Sequence, residues 1–415
     1  MKDKIKQLLK NKDAKTLIEN FFSLGALQVI NLILPLVVLP YMIKTVGFDR
    51  YGVVVLAASL IAYFSSITDY SFRITATRDV AVFRDSPQKL NIIYSKVLTV
   101  KSIILLFSWI AIAIIVLAYP PFYEEKTVFF CTALMLFGYM LFPEWFFQGI
   151  EKMKYIAFLN VGIKVFFTAC IFLLVRTTED YWKYALLNSV GYIGAGLVGQ
   201  YLLIKKYKLK FIWLKKKYII KTFKSNFPVF VNQFVPTLFN NTSIFLMGIV
   251  VNTYTIGVFD AIKKIIMLES VFIQIVSRVF FPYLNRNKKY FKKFAKISML
   301  CFALVIALVL LSHPVLFYFL NIHDDLAFTV LLILSIGILF IGIYSIYSTN
   351  FLLVHRADKT VMSITIFSSL IGFVSAYPMI HFLGMVGGAL NIMFSQILLG
   401  TLAFVYYKKY SRTLK

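Results

Sequence analysis

The sequence is poor in charged residues, and its acidic residues are far outnumbered by basic ones. Charged residues make up 15% of the 415 residues, whereas a soluble domain carries about a quarter. Hydrophobic residues reach 60%, with 42 Phe and 25 Tyr, and the mean hydropathy is +0.80. This balance excludes an ordinary soluble domain and indicates a chain that lies largely in lipid.

Cysteine and histidine are also scarce, at three and four residues. Cys131, Cys170 and Cys301 fall in apolar runs with neither metal-ligand spacing nor a disulfide framework, so we interpret them as packing residues. The sequence has no metal-ligand cluster and no phosphate-binding loop, which argues against a resident metal and against direct coupling to ATP. We therefore expect no cofactor.

Apolar runs of about 20 residues recur along the chain, the length that crosses a hydrocarbon core of about 30 Å. They predict an all-α polytopic membrane protein with 12 transmembrane helices. The predicted spans are 17–42, 50–70, 92–118, 128–149, 156–175, 182–204, 227–251, 256–282, 294–320, 327–353, 360–380 and 384–407. The first run is too long for a signal peptide and should remain in the membrane.

Basic residues alternate sharply between the connections on the two sides of the predicted spans. One set of connections, which includes both termini, carries most of the Lys and Arg residues. The opposite set carries only Lys44, Arg50, Lys126, Arg176 and Lys183. The positive-inside rule then places both termini in the cytoplasm. The net charge of +26 is divided among separate connections, which favours anionic lipid headgroups as partners and not nucleic acid.

The most basic connection lies at the middle of the chain, with six predicted spans on each side. The predicted parts are a cytoplasmic N-terminal segment at 1–15, an N-terminal six-helix bundle at 16–204, a basic linker at 205–225, a C-terminal six-helix bundle at 226–407 and a cytoplasmic tail at 408–415. The N-terminal segment is either a short amphipathic surface helix or a frayed basic tail.

The two halves share a weak pattern. Short turns predicted at Tyr51-Gly52-Val53 and Ile256-Gly257-Val258 occupy matching places after the first span of each half. Two parallel six-helix repeats are a transporter architecture, with the substrate site between the halves.

Five cations lie well inside the predicted spans: Lys101, Lys164, Lys263, Lys264 and Arg278. A charge in the bilayer core is costly and is rarely kept without a role. Cations that face the inside of a helical bundle indicate an anionic ligand that binds there or passes through. We therefore predict a cationic cavity that binds substrate through these five residues.

The five cations differ in depth. Lys164 is central in its span, where snorkelling is difficult, so it either faces a cavity or pairs with an acid on another helix. Lys263 and Lys264 follow Asp260 closely enough for one of them to pair with it, and the alternative is a snorkelling interfacial pair. Lys101 and Arg278 lie nearer the span ends, where snorkelling competes with a binding role.

Glu269 lies near the centre of the eighth span. An isolated carboxylate in a low dielectric can take up a proton near neutral pH, so Glu269 is a candidate for ion coupling. The alternative is a structural partner for Lys164, Lys101 or Arg278. Neutral polar residues in spans one and seven have two possible roles, contacts with sugar hydroxyls or bonds between helices. They are Asn20, Gln28, Asn31, Asn232, Gln233, Asn240 and Asn241.

Three segments carry recognisable motifs. They are Thr68-Asp69-Tyr70-Ser71 followed by Ala76-Thr77-Arg78-Asp79-Val80-Ala81, then Pro143-Glu144-Trp145-Phe146-Phe147-Gln148-Gly149, and Gly257-Val258-Phe259-Asp260-Ala261-Ile262-Lys263-Lys264. Together with span number and length, they resemble bacterial polysaccharide (O-antigen) flippases of the Wzx type, of the multidrug/oligosaccharidyl-lipid/polysaccharide exporter superfamily. Ser71 departs from the family pattern, which usually has Gly there.

The resemblance implies two six-helix bundles that form a V around a central cationic cavity. It also implies translocation of an undecaprenyl-pyrophosphate-linked oligosaccharide, an O-antigen or capsular repeat unit, from the cytoplasmic to the periplasmic leaflet of the inner membrane. Alternating access and coupling to an ion gradient go with that function, and the pathway's polymerase and chain-length proteins are expected partners. Only Lys263 and Lys264 lie in a motif that matches the family. The assignment of Lys164 and Glu269 to the site depends on the physical reasoning above.

Two other functions compete with this one. A multidrug exporter of the same fold usually carries cations, which the five intramembrane cations disfavour. A polysaccharide polymerase or lipid-linked glycosyltransferase commonly needs a sizeable extracytoplasmic loop or a carboxylate or metal site, and the sequence predicts neither. We therefore expect a transporter and not an enzyme.

Overall fold

The computed structural model describes the backbone of residues 12–413, and the side chains from residue 30 onward except those of residues 31, 32, 236, 239, 240, 282 and 413. The N-terminal segment predicted as a surface helix or tail, and the side chains of Asn20, Gln28, Asn31 and Asn240, therefore lie outside the described residues. Nearly all of the described residues are helical, and none of them forms a strand.

The chain divides into two compact units. The first comprises the residues up to Val38 together with Leu60–Phe234, and the second comprises Leu39–Ser59 and the residues from Val235 onward. The partition differs from the predicted bundles in that Leu39–Ser59 groups with the C-terminal half, and the basic linker groups with the N-terminal half.

The helices of the first unit start with a long one that includes residues 39–59 of the second unit. They are α1 (Lys12–Asp69), α2 (Phe72–Phe83), α3 (Pro87–Ala118), α4 (Pro120–Glu124), α5 (Lys126–Ala133), α6 (Met135–Leu141), α7 (Glu144–Gly149), α8 (Met153–Leu174) and α9 (Tyr181–Lys205).

The second unit is built from the helices that follow the linker, the first of which starts in the first unit. They are α10 (Lys216–Val250), α11 (Thr253–Arg286), α12 (Phe291–Leu311), α13 (His313–Phe319), α14 (Ala327–Tyr344) and α15 (Asp358–Thr413). The residues Ser345–Leu352, directly after α14, form a π-helix.

Within the described residues, nine apolar helical stretches are long enough to cross a membrane. Two of them are interrupted, α1 at Gly47 with φ 78° and α15 at Gly384 with φ 55°, so each contains two helices. A shorter apolar helix, Asn241–Val250, ends α10. The prediction of an all-α polytopic membrane protein is confirmed, and the count of twelve spans stays a prediction.

The turns predicted at 51–53 and 256–258 are wrong, because both segments lie inside helices. The first turn is at Gly47, where the positive φ breaks α1. The second comes before Thr253, where α11 begins. There the Asn252 side chain accepts a hydrogen bond of 2.9 Å from the Thr255 backbone N–H, which caps the helix.

The two glycines of these segments meet at one helix crossing in the second unit. A Cβ added to Gly52 would lie 1.8 Å from the Thr253 carbonyl oxygen, and one added to Gly257 would lie 2.4 Å from the Phe48 carbonyl oxygen. Only glycine permits so close an approach of two backbones. This crossing explains why residues 39–59 group with the second unit. The weak pattern shared by the two halves contains the two glycines that meet at the crossing.

We predict that Gly257→Ala destabilises the protein by about 1–3 kcal/mol, because the new methyl group meets backbone that cannot move without opening the crossing. The thermal melting temperature of the purified protein measures the effect. Gly162→Ala is the matched control, since no atom lies within 4 Å of its added Cβ. Equal melting temperatures for the two variants would contradict the close crossing.

Candidate functional site

A cavity of about 140 Å³ lies within the first unit, between α1, α8 and α9. Its polar wall is formed by Asn160, Lys164, Thr168, Tyr184, Asn188 and Tyr192. The ammonium nitrogen of Lys164 lies 5.3 Å from the centroid of the Tyr192 ring, within the range of a cation–π interaction. The sequence-predicted cation at the centre of α8 therefore lines a polar cavity.

The register of two helices produces this wall. On α8 the polar residues 160, 164 and 168 recur every four positions, and on α9 the residues 184, 188 and 192 do the same. Side chains four residues apart lie on one helical face, so each helix turns one polar stripe towards the cavity. The opposite face of α8 carries apolar residues such as Phe158, which exposes 76% of its surface and is suited to lipid.

A second cavity, of about 580 Å³, lies within the second unit between α11, α14 and α15. Asp260, Lys263, Lys264, Ser270 and Gln396 form its polar wall. The two adjacent lysines of the α11 motif thus line the same cavity, together with the acid that precedes them.

Lys264 is the lysine that pairs with Asp260. Its ammonium nitrogen lies 2.7 Å from Asp260 Oδ2, and the Tyr51 hydroxyl donates a hydrogen bond of 2.6 Å to the same oxygen. Lys264 also donates a hydrogen bond to the Tyr51 hydroxyl, and its ammonium lies 4.9 Å from the centroid of that ring. The charge of Lys264 is therefore compensated inside the unit.

Lys263 has a different environment on the same cavity. Among the residues that the structure describes, no carboxylate forms an ion pair with it. The positive charge that this cavity offers to a ligand is therefore that of Lys263, while Lys264 and Asp260 form a neutral pair beside it.

Glu269 is almost completely buried, with 1% of its surface exposed. Ser335 donates a hydrogen bond of 3.3 Å to Glu269 Oε1, and within the described part of the chain Oε2 has no partner. Glu269 takes part in none of the ion pairs found there. It is thus a buried carboxyl group whose hydrogen bonding is incomplete.

The remaining two predicted site residues lie elsewhere. The Lys101 side chain is buried, and its ammonium nitrogen lies 2.8 Å from Asp69 Oδ1. Asp69, at the end of α1, is therefore the acid partner of Lys101. Arg278 is exposed and donates a hydrogen bond of 3.4 Å to Gln274 Oε1. Neither Lys101 nor Arg278 lines the two cavities.

Several lining residues were missed by reasoning from sequence. The polar stripe of α9, with Tyr184, Asn188 and Tyr192, was visible as a four-residue spacing. Tyr51 was not detectable in this way, since it lies 209 positions before its hydrogen-bond partner Asp260.

Comparison with known proteins identifies the family. Residues 17–288, more than half of the chain, match the family model described as polysaccharide biosynthesis protein. The chain belongs to this family. It is 22% identical over 409 residues to a protein of Escherichia coli (strain K12), covering 96% of this chain and 98% of that one. It is 24% identical over 375 residues to a protein of Shigella dysenteriae, covering 89% and 94%.

Both relatives carry the name "Putative O-antigen transporter". The resemblance to Wzx-type polysaccharide flippases is thereby confirmed, and so is a bacterial multi-pass inner-membrane location. The orientation of the termini stays a prediction.

Two solved structures show the fold of this polysaccharide biosynthesis protein. The lipid II flippase MurJ, in an inward closed conformation, has a TM-score of 0.75 at 15% identity and covers 94% of this chain and 87% of its own. An inward-facing multidrug resistance transporter of the MATE family has a TM-score of 0.60 at 13% identity, with coverage of 92% and 98%. At these identities the likeness concerns the fold alone.

We predict that Asp260→Asn destabilises the protein by up to about 3 kcal/mol, because it removes the carboxylate that balances the largely buried Lys264 charge. The double variant Asp260→Asn/Lys264→Met should recover most of that loss, since the unpaired charge is gone. Melting temperatures of the purified variants test this. A double variant that melts below Asp260→Asn would show that the pair is not what stabilises this region.

Proposed function

We propose that this protein is a flippase for a lipid-linked oligosaccharide. The substrate is an undecaprenyl-pyrophosphate-linked O-antigen or capsular repeat unit, moved from the cytoplasmic to the periplasmic leaflet by alternating access. The observation that carries the proposal is that each unit contains a polar cavity with an intramembrane lysine on its wall, Lys164 in one and Lys263 in the other.

The chemistry of the second cavity favours an anionic group. Lys263 is a cation in a region of low dielectric, where its attraction to a phosphate is much stronger than in water. Because Lys264 and Asp260 neutralise each other, this pair adds little net charge to the cavity. A cavity of about 580 Å³ has the size of an ordinary ligand pocket.

The first cavity adds groups that suit sugars. Asn160 and Asn188 each carry a donor and an acceptor, and Thr168 and Tyr184 carry hydroxyls. Neutral groups of this kind can exchange hydrogen bonds with sugar hydroxyls at a smaller desolvation cost than charged groups.

Glu269 is our candidate for ion coupling. Its carboxyl group is buried and receives one hydrogen bond from Ser335. A proton that enters or leaves such a site changes a charge in a low dielectric, so the event acts strongly on the packing around it.

The alternative functions have less support. The likeness to MATE transporters concerns the fold, and Lys164 and Lys263 disfavour a cationic drug as substrate. The relatives are named as transporters and not as enzymes, which disfavours a polymerase or glycosyltransferase.

We predict that Lys164→Ala and Lys263→Ala each lower surface glycan by about tenfold or more, because each removes the cation that stabilises an anionic substrate in its cavity. The assay is glycan display in a strain whose own copy is deleted, with the amount of membrane protein measured by immunoblot. Lys183→Ala is the control, because Lys183 pairs with Asp180 and lines neither cavity. Normal display by both cavity variants would contradict the proposal.

We predict that Glu269→Gln uncouples transport from a proton gradient, because the amide keeps the shape of the side chain but cannot release or accept the proton. Transport into proteoliposomes, with and without an imposed pH gradient, measures the coupling. Ser335→Ala, which removes only the hydrogen bond, should retain the response to the gradient. An unchanged response in Glu269→Gln would exclude Glu269 as the coupling residue.

A further inference from the structure

A groove of about 650 Å³ lies within the second unit, apart from the cavity of Lys263 and on other residues. One wall is α12, which contributes Lys292, Lys296, Met299 and Ala303. The other wall consists of aromatic residues from the π-helix after α14 and from α15.

The α12 wall changes character along its length. Lys292, Lys296, Met299 and Ala303 are spaced four, three and four residues apart, so they form one stripe on one helical face. At about 1.5 Å per residue the stripe is about 16 Å long, with the two lysines at one end and only apolar residues beyond them. Leu300, beside the apolar part, exposes 63% of its surface.

Aromatic rings form the facing wall. The Tyr347 and Tyr407 rings lie 4.7 Å apart by their centroids, and Phe291, at the start of α12, lies 5.4 Å from Tyr407 across the groove. Tyr347 belongs to the π-helix Ser345–Leu352, a rare conformation that is frequent at functional sites. Each of the two tyrosines that line the groove carries a hydroxyl that can donate a hydrogen bond.

The lysine end is electrostatically uncompensated. In the described parts of the chain, no carboxylate lines the groove or forms an ion pair with Lys292 or Lys296. A further cation lies close by, since the Lys408 ammonium is 4.6 Å from the centroid of the Phe404 ring, which packs 5.0 Å from Tyr347. Lys292 and Lys296 are exposed, so their charges are open to water or to an anion.

We propose that this groove holds the lipid part of the substrate, a single isoprenoid chain that carries a pyrophosphate. The two phosphates lie against Lys292 and Lys296, about 6 Å apart along the helix, and the chain lies along Met299, Leu300 and Ala303. Two lysines one helical turn apart match the two phosphates of a pyrophosphate better than the single phosphate of a phospholipid. The assignment rests on the proposed function.

The predicted position in the membrane agrees with this occupant. The ninth predicted span starts at about residue 294, so the lysines lie at headgroup level, on the predicted cytoplasmic side, and the apolar residues lie within the hydrocarbon. A lipid-linked sugar made in the cytoplasm would meet the protein at this leaflet. The groove would then be an entry site, from which the pyrophosphate passes to Lys263 in the cavity of the same unit.

Binding of undecaprenyl pyrophosphate to the full-length protein in phosphatidylcholine nanodiscs tests the proposal. Lys292→Gln/Lys296→Gln should raise Kd by about tenfold or more, because two charge-assisted contacts are lost. Lys289→Gln/Lys293→Gln is the matched control, with the same change in net charge on residues that do not line the groove. Ala303→Phe should weaken binding without any change in charge, because it fills the apolar end. Melting temperatures identify any variant that is misfolded.

The outcomes of these experiments test the groove and the proposed function separately. An unchanged Kd in the lysine pair overturns the groove as the pyrophosphate site, and an unchanged Kd in Ala303→Phe overturns the placement of the chain. Equal affinity for phosphatidylglycerol overturns the isoprenoid occupant in favour of a phospholipid. If the wild type binds undecaprenyl pyrophosphate through these residues but moves no lipid-linked sugar in proteoliposomes, the proposed function fails and the groove stands.

Discussion

The cost of burying a positive charge in a medium of low dielectric governs how this protein is built. A lysine in the hydrocarbon region must have an acid partner, an aromatic face or an anionic ligand, because water cannot stabilise it there. Lys101 has Asp69, Lys264 has Asp260 and Tyr51, and Lys164 lies over Tyr192. Lys263 shares its cavity with a pair that is already neutral, which is why we propose an anion from outside the protein as its ligand.

The same cost of burying charge bears on how the proposed flippase would bind its substrate. A pyrophosphate-linked sugar combines a strong anion, many hydroxyls and a long apolar chain, and no single surface suits all three. The structure offers a polar cavity with Lys164 and several neutral polar groups in the first unit, a larger cavity with Lys263 in the second, and a groove on α12 that changes from cationic to apolar. Each surface suits one chemical part of such a molecule.

Much of the fold was predictable because hydrophobic length is a local property. Runs of about 20 apolar residues predicted a polytopic helical protein, and the motif around Lys263 and Lys264 indicated the family that the comparisons then showed. The exact positions of the turns were harder to predict. Gly52 and Gly257 looked like turn residues, yet both lie within helices, because their role is to let two backbones approach at a crossing.

The sequence by itself determined that the protein is helical and polytopic, indicated its family and named five cations as candidates, since composition and local spacing carry that information. The tertiary structure alone decided which cation is neutralised and which faces a cavity. Asp69 lies 32 positions from Lys101, and Tyr51 lies 209 positions from Asp260, so neither pairing follows from spacing along one helix. Charge in lipid acts through distance in space, and only the packing of helices fixes that distance.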